Sequence, residues 1–189
     1  ACCTLPPFAA DFSLSPDSRT NFALLVRESG DWLKSAANGG KVQHAQGFDL
    51  RFELEDGTKL DHEIERHDPV AGSLLAWVRL PSIDLASQLR LLLYYGKASV
   101  VASEANPAAV WQSYLAVYNT RTGADRTGRG RTLAPTGIGA GELLGDAGSF
   151  NGSAVASRTD ATFLTGQAAL TVQALATAAP GQVQAFTGL

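Results

Sequence analysis

The chain is poor in cysteine, in charged residues and in long apolar runs. It has only two cysteines among 189 residues, and they are neighbours, Cys2 and Cys3. Adjacent cysteines rarely form a disulfide with each other, and two thiols without a histidine at a partner spacing cannot complete a zinc site. We therefore expect free thiols in a terminal arm and no cofactor, with a bridge between chains or a metal shared in an oligomer as the alternatives.

Charged residues make up only 17% of the chain, and the formal net charge is −3. This small negative charge gives no bulk attraction to nucleic acid or to an anionic membrane. No apolar run approaches the roughly 20 residues that span a bilayer, so no membrane insertion is expected. Glycine is abundant, with 19 residues, and together with many alanine, threonine and serine residues it favours a turn-rich, all-β protein.

Two alternating runs joined by a turn predict a β-hairpin at residues 51–65. In Arg51–Glu55 the apolar residues fall at every second position, which is the pattern of a strand with one buried face. Asp56-Gly57 follows and suits a tight turn, because glycine tolerates positive φ. The second run has one face made of Leu60, His62 and Ile64. Its opposite face, where we expect water, carries the acids Asp61, Glu63 and Glu65.

Three further strands are predicted around this hairpin. One spans residues 21–27. Another spans residues 74–80 and is closed by Pro81, and the third, at residues 88–95, is rich in leucine and tyrosine and ends at Gly96. The region from residue 21 to residue 96 is therefore predicted to be rich in strands throughout.

The order of these motifs resembles the DUF2341 family. The matching patterns are R-F-x-x-x-D-G-T-x-L, x-E-I-E, W-V-x-L-P and Y-Y-G, and the segments Asp31-Trp32-Leu33 and Phe48-Asp49-Leu50 fit the opening of the family. The resemblance covers about residues 20–100. It implies a β-sandwich module of unassigned biochemical function, of the kind found in large bacterial and phage surface proteins, and it supplies no catalytic residue.

A different pattern follows Gly96. Asn106 and Pro107 suit the N-cap and the first position of a short helical turn over residues 106–111, and Tyr114–Asn119 is predicted to be a strand. A glycine-rich turn follows at residues 125–133. This order, W-x-x-Y-x-A-V-Y before D-x-T-G-x-G, resembles the start of a concanavalin A-like (LamG-type) jelly roll, a module that commonly follows DUF2341.

The resemblance to a jelly roll covers only part of that fold. Further strands are predicted at residues 147–152, 168–176 and 182–187, whereas a jelly roll needs about eight strands. Either the sequence is part of a longer chain, which we favour, or another subunit supplies the missing strands. The predicted organisation is all-β, with an extended N-terminal arm at 1–18, an antiparallel DUF2341-like β-sandwich at 19–104 and the N-terminal part of a jelly roll at 105–189.

Candidate chemical sites are few. His62 and His67 are five residues apart, whereas a zinc-protease motif needs a spacing of four on one helix face, so no metal site is predicted there. The acids of both runs are Glu53, Glu55, Asp61, Glu63 and Glu65. We interpret them as a solvated face rather than as the paired carboxylates of a glycoside hydrolase. A basic cluster can meet an acidic glycan or the carboxylates of a neighbouring subunit. Its candidate ligand-binding residues are Asp125, Arg126, Arg129 and Arg131.

Two further expectations concern calcium binding and the tryptophans. Loop oxygens can bind calcium in lectin-like jelly rolls, and Asp125 and Asp146 are the two residues that suggest it here; two carboxylates do not define a site. The tryptophans Trp32, Trp77 and Trp111 each lie in an apolar context. We therefore expect them to anchor the core rather than to form a platform for sugars.

These patterns favour a non-enzymatic structural and adhesive protein. The specific hypothesis is a spike or fibre on the surface of a phage-like particle or gene transfer agent. Its N-terminal arm would contact capsid or other particle proteins, and its jelly roll would bind a host-surface glycan, with homo-oligomerisation expected. This hypothesis is motivated by the absence of a recognisable secretory signal and by the partial second module. One alternative is an extracellular or cell-surface glucanase-type protein whose catalytic residues lie beyond this chain. The other is an ancillary domain of a membrane transport system.

Overall fold

The structure, a computed structural model, describes residues 2–4, 19–83, 89–119, 121–140, 147–151, 153–160, 162–166, 168–169 and 171–174. The predicted arm after residue 4 and the strand predicted at 182–187 lie outside these residues. Of the strand predicted at 168–176, the described residues are exposed and form no strand. That prediction is wrong for residues 168–169 and 171–174, because alternation alone does not supply a pairing partner.

Two antiparallel sheets form a sandwich, which confirms the predicted all-β class. The first sheet has the order β1-β7-β3-β4 and the second has the order β2-β6-β5. In the first sheet the strands are Cys2–Thr4 (β1), Arg51–Leu54 (β3), Lys59–Leu60 (β4) and Leu91–Tyr94 (β7). In the second they are Arg19–Ser29 (β2), His62–Asp68 (β5) and Ser73–Ile83 (β6). The start of the predicted arm is thus an edge strand beside β7.

The core lies between the two sheets because side chains alternate along each strand. The even-numbered residues of β6 from Leu74 to Leu80 are buried, and Phe52 of β3 and Leu93 of β7 meet them from the other sheet. The segment between β2 and β3 closes the core with Leu33, Val42 and Leu50. The predicted inward face of the 59–65 run is confirmed, since Leu60 and His62 are buried and Ile64 packs against the core.

The predicted hairpin is confirmed for residues 51–60 and is wrong beyond them. β3 pairs with β4 around a turn in which Gly57 has a φ of 84°. Asp61 then interrupts the run, and β5 pairs with β6 in the other sheet. The Arg79 backbone N–H donates to the Asp61 carbonyl over 2.9 Å, and the Arg79 guanidinium pairs with the Asp61 carboxylate at 2.5 Å. One residue therefore carries the chain from one sheet to the other.

β6 continues through Pro81, where the sequence predicts its end. Proline has no N–H to donate to a neighbouring strand. On one side of β6 the pairing with β5 reaches only Val78. On the other side the register with β2 passes from Thr20↔Ser82 to Phe22↔Leu80 without a pair at Asn21, whose φ is 52°. This irregularity accommodates the proline.

After the sandwich, the described residues contain one short α-helix, a 3₁₀ helix at Thr162–Leu164 and four short strands. Helix α1 spans Pro107–Val110 and is capped by Asn106, as predicted. The strands form two ladders, Ala134–Thr136 (β8) with Val155–Ser157 (β11), and Gly139–Ala140 (β9) with Gly148–Ser149 (β10). The strand predicted at 147–152 is thus reduced to β10, and the jelly roll stays a prediction. No helix of the described residues has the length and apolarity to cross a membrane.

The strand predicted at residues 114–119 is wrong. Only Tyr118 makes a β-bridge, to Asp125, and residues 111–115 form turns and bends. The cause is competition for hydrogen bonds, because the backbone carbonyls of Gln112, Tyr114 and Leu115 accept from arginine side chains rather than from a neighbouring strand.

Candidate functional site

A buried carboxylate ties the segment after the sandwich to the outer face of the three-stranded sheet. Glu63 lies on β5 and is only 1% exposed. The Trp111 indole N–H donates to its Oε2 over 2.5 Å, and the Arg126 guanidinium forms hydrogen bonds and an ion pair with its Oε1. Glu63, Trp111 and Arg126 are called the Glu63 latch below. It joins residues that are 48 and 63 positions apart in the chain.

Helix α1 places Trp111 over the sheet. The Asn106 backbone N–H donates to the His62 carbonyl over 2.8 Å, and its side-chain amide donates to Asp61 over 3.2 Å. Asn106 also caps the helix by accepting from the Ala109 N–H, which leaves Pro107 at a position where its missing N–H costs nothing. At the other end of α1 the Trp111 ring packs against Trp77 with centroids 5.0 Å apart.

The turn at residues 125–131 places Arg126. The Asp125 carboxylate accepts from the Thr127 backbone and hydroxyl at 3.0 and 2.7 Å and from the Arg131 backbone at 2.9 Å. Partial burial opposes ionisation of Asp125, but the hydrogen bonds from Thr127 and Arg131 outweigh it and lower the pKa of this carboxyl. Gly128 and Gly130 both have φ near 70°, a conformation that glycine adopts without strain.

The two remaining arginines of the predicted cluster hold the loop after α1. Arg129 donates to the Gln112 carbonyl at 2.8 Å and to the Tyr114 carbonyl. Arg131 donates to the Leu115 carbonyl, and its guanidinium lies 4.5 Å from the centre of the Phe163 ring. The structure therefore brings Asp125, Arg126, Arg129 and Arg131 together, and each contacts the protein itself. Their ligand-binding role stays a prediction.

The interpretation of the acids as a solvated face is wrong for Glu63, and also for Glu53, which is 8% exposed and pairs with Arg51 at 2.9 Å. Alternation correctly puts Glu63 on the face opposite to His62, but α1 and the 125–131 turn cover that face. Asp61 and Glu65 on the same face are half-buried. The expectation for the tryptophans is confirmed for Trp111, which is 6% exposed. A buried indole N–H requires an acceptor. The apolar context of Trp111 is therefore the sequence signal that could have indicated a buried polar partner, which is Glu63.

A cleft of about 380 Å³ lies beside the latch, between β5 and the segments before β3 and α1. Its charged lining includes Glu63, Glu65, Arg66, His67 and Arg126. Because both Glu63 oxygens already accept from Trp111 and Arg126, this carboxylate is held as an ion-pair partner rather than presented to the cleft as an acid or base. Among the described residues, no three metal-ligating side chains converge.

His67 joins β5 to the segment before β3. Its Nδ1 lies 2.9 Å from the Ala45 carbonyl oxygen, and its Nε2 lies 2.8 Å from the Leu33 carbonyl oxygen. This histidine connects strand to loop rather than forming a pair with His62.

A second buried carboxylate organises the other end of the sandwich. Asp49 is 5% exposed. It accepts from the backbone N–H groups of Gln43, His44 and Gly96 at 2.9, 3.1 and 2.8 Å. The segment before β3 and the segment after β7 are therefore held together by one side chain, which is called the Asp49 clamp below.

His62 predicts a loss of stability in mild acid. Its ring packs against Phe52, with centroids 5.4 Å apart. Burial lowers the pKa of His62 below its usual value of 6.5, although the Leu60 carbonyl and nearby acids oppose the shift. The unfolded chain therefore binds a proton more readily than the folded one as pH falls below about 6.5, so folding stability is fully present above that pH and declines below it.

Urea unfolding at pH 7.5 and pH 5.5 measures this loss. The native chain should lose more stability between the two pH values than the His62→Phe variant, which keeps a ring but cannot titrate. Subtracting the loss of the variant from that of the native chain removes every contribution that the two chains share. Equal losses in the two chains would contradict the assignment to His62.

The fold and the latch define an antiparallel β-sandwich whose outer face is covered by the segment that follows it. Residues 46–125 match the family model described as domain of unknown function (DUF2341). The match confirms the predicted resemblance over β3 to β7 and extends past the predicted domain boundary at 104/105 to the start of the 125–131 turn. No curated protein and no solved structure shows a significant match.

Proposed function

We propose that this chain is a non-enzymatic structural and adhesive component of a virus-like particle, a spike or fibre of a phage-like particle or gene transfer agent. In this proposal the β-sandwich is the scaffold. The N-terminal arm contacts capsid or other particle proteins, and the segment after the sandwich leads to a domain that attaches to the host surface.

The proposal is supported by an ion pair and several hydrogen bonds through which charged side chains join separate segments of the chain. Glu63 and Arg126 form an ion pair between β5 and the 125–131 turn, and Arg129 and Arg131 fix the loop after α1 through its backbone carbonyls. These contacts hold residues 106–131 on the outer face of the sandwich. A spike needs such a connection, because it must present its distal domain in a fixed direction.

The finer parts of the proposal concern the distal domain and the assembly. Two short ladders, β8 with β11 and β9 with β10, follow the matched region and support a β-rich distal domain. We propose that this domain is a concanavalin A-like jelly roll that binds a host-surface glycan. Spikes and fibres are commonly built from identical subunits, so we propose a homo-oligomer. The particle surface is the proposed location.

Deletion of the gene tests the proposal on purified particles. We expect negative-stain images to show particles that lack a surface projection, and we expect adsorption to host cells to fall at least tenfold. Complementation with the native gene should restore both. Particles of unchanged morphology that adsorb normally would overturn the proposal.

A further inference from the structure

A second cleft, of about 320 Å³, lies where β3 begins and β7 ends. Three of its lining residues are aromatic and four are charged; they are Phe48, Tyr94, Tyr95, Asp49, Arg51, Lys97 and Glu104. The three aromatic residues are half-buried, while Lys97 and Glu104 are exposed. It is called the aromatic cleft below. Its volume falls at the lower end of the range of ligand sites, about 300–1,000 Å³.

The aromatic rings of this cleft are held in place by their neighbours. Arg51 and Tyr94 face each other across the β3–β7 ladder, and the guanidinium lies 5.0 Å from the centre of the Tyr94 ring. Tyr95 packs against Trp32 with centroids 5.0 Å apart, and Phe48 stacks on His44 at 5.3 Å. The Asp49 clamp joins the two chain segments that carry these rings. A ligand would therefore meet walls that need little ordering on binding.

Among the described residues, Lys97 is the charged group of the aromatic cleft that has neither an ion-pair partner nor a set of backbone hydrogen bonds. Asp49 also lines the cleft, but its carboxylate is occupied by three N–H groups. Glu104 pairs with Lys59 at 3.8 Å, and Arg51 pairs with Glu53 at 2.9 Å. Lys97 forms no ion pair with any residue that the structure describes. It is thus an exposed ammonium group beside three aromatic walls.

We propose that the aromatic cleft binds an acidic sugar residue of a polysaccharide. A sugar ring has an apolar C–H face, which suits the aromatic walls, and a rim of hydroxyl groups, which suits the polar lining of Arg51 and Glu104. The sugar's carboxylate would pair with Lys97, a charge-assisted contact of the stronger kind. This goes beyond the proposed attachment role, because it places a ligand on the sandwich itself rather than on the segment after it.

Titration of the purified chain with two matched probes tests the inference. The probes are trigalacturonic acid and a neutral galactose trisaccharide, and binding is measured by calorimetry and by NMR shifts. We expect the acidic probe to bind about two- to fivefold more tightly, since an ion pair with an exposed lysine is worth up to about 1 kcal/mol. We expect the shifts to centre on Tyr94, Tyr95 and Lys97. Equal affinity for the two probes, or binding of neither at 10 mM, would overturn it.

Single-residue variants distinguish binding at the aromatic cleft from a general attraction of the acidic probe to positive charge. Lys97→Ala should lose the preference for the acidic probe, Lys97→Arg should keep it, and Lys41→Ala, which removes an exposed lysine outside the cleft, should change nothing. Lys97 is exposed, so its variants should unfold at the same temperature as the native chain. If Lys41→Ala weakens binding as much as Lys97→Ala, the inference is wrong. Failure here leaves the particle role intact, because that role is tested on particles rather than on the purified chain.

Discussion

Replacing Arg126 by alanine is expected to lower the free energy of unfolding by about 3 kcal/mol, the lower end of the range for breaking a buried ion pair. The substitution leaves the Glu63 carboxylate at 1% exposure with the Trp111 N–H as its remaining partner. We take the lower end because 33% of the Arg126 side chain is exposed. Urea unfolding followed by circular dichroism measures the loss.

The two members of this ion pair should not be equivalent. Glu63→Gln removes the buried charge itself, and the partly exposed Arg126 can then turn to solvent, so its cost should be smaller than that of Arg126→Ala. The double variant should cost less than the sum of the two single variants. Arg27→Ala, at an exposed position on β2, is the matched control and should change stability by less than about 0.5 kcal/mol. If Arg126→Ala is as mild as this control, Glu63 is not held as the structure describes.

The Asp49→Ala variant is expected to lose about 3 kcal/mol or more of folding stability. The carboxylate accepts from three backbone N–H groups, and each buried donor left without a partner costs about 1–3 kcal/mol. Partial rearrangement keeps the total below the simple sum. The variant should also loosen the packing of Tyr95 on Trp32, which near-ultraviolet circular dichroism detects separately from the loss of stability.

Asp56→Ala is the matched control for the Asp49 clamp. Asp56 is exposed and its carboxylate accepts from the Thr58 backbone N–H in the β3–β4 turn, so its loss should cost much less stability than the loss of the buried Asp49 carboxylate. Asp49→Asn should remain clearly destabilised, since its amide N–H₂ cannot accept from a backbone donor. A clamp variant that unfolds like the Asp56 control would show that the three hydrogen bonds contribute little.

Local sequence rules predicted the elements whose causes are local. The Asp56-Gly57 turn, the Asn106 cap and the turn at Asp125 all depend on side chains within a few residues of the backbone groups that they satisfy. Alternation also assigned the correct face to Leu60, His62 and Glu63. These features need no knowledge of the rest of the molecule.

The features that were missed depend on distant parts of the chain. Alternation gives the face on which Glu63 lies but not what covers that face, and the covering groups come from Trp111 and Arg126. The split between β4 and β5 depends on Arg79, 18 positions after Asp61. Charge alone predicts the cluster of arginines, but Arg129 and Arg131 donate to backbone carbonyls. Every residue has such a carbonyl, so a sequence pattern cannot single these partners out. The sequence does not predict the aromatic cleft, because Phe48 and Tyr94 belong to separate family and strand motifs and only the fold brings them together.

The passage of the chain through Asp61 has a consequence for how the protein unfolds. Leu60 ends a strand of one sheet and His62 begins a strand of the other, and both side chains are buried in the common core. With a single residue between them, the sheets have no linker long enough to let one open while the other stays folded. Their melting is therefore coupled, and the sandwich behaves as one cooperative unit rather than as two layers that come apart in turn.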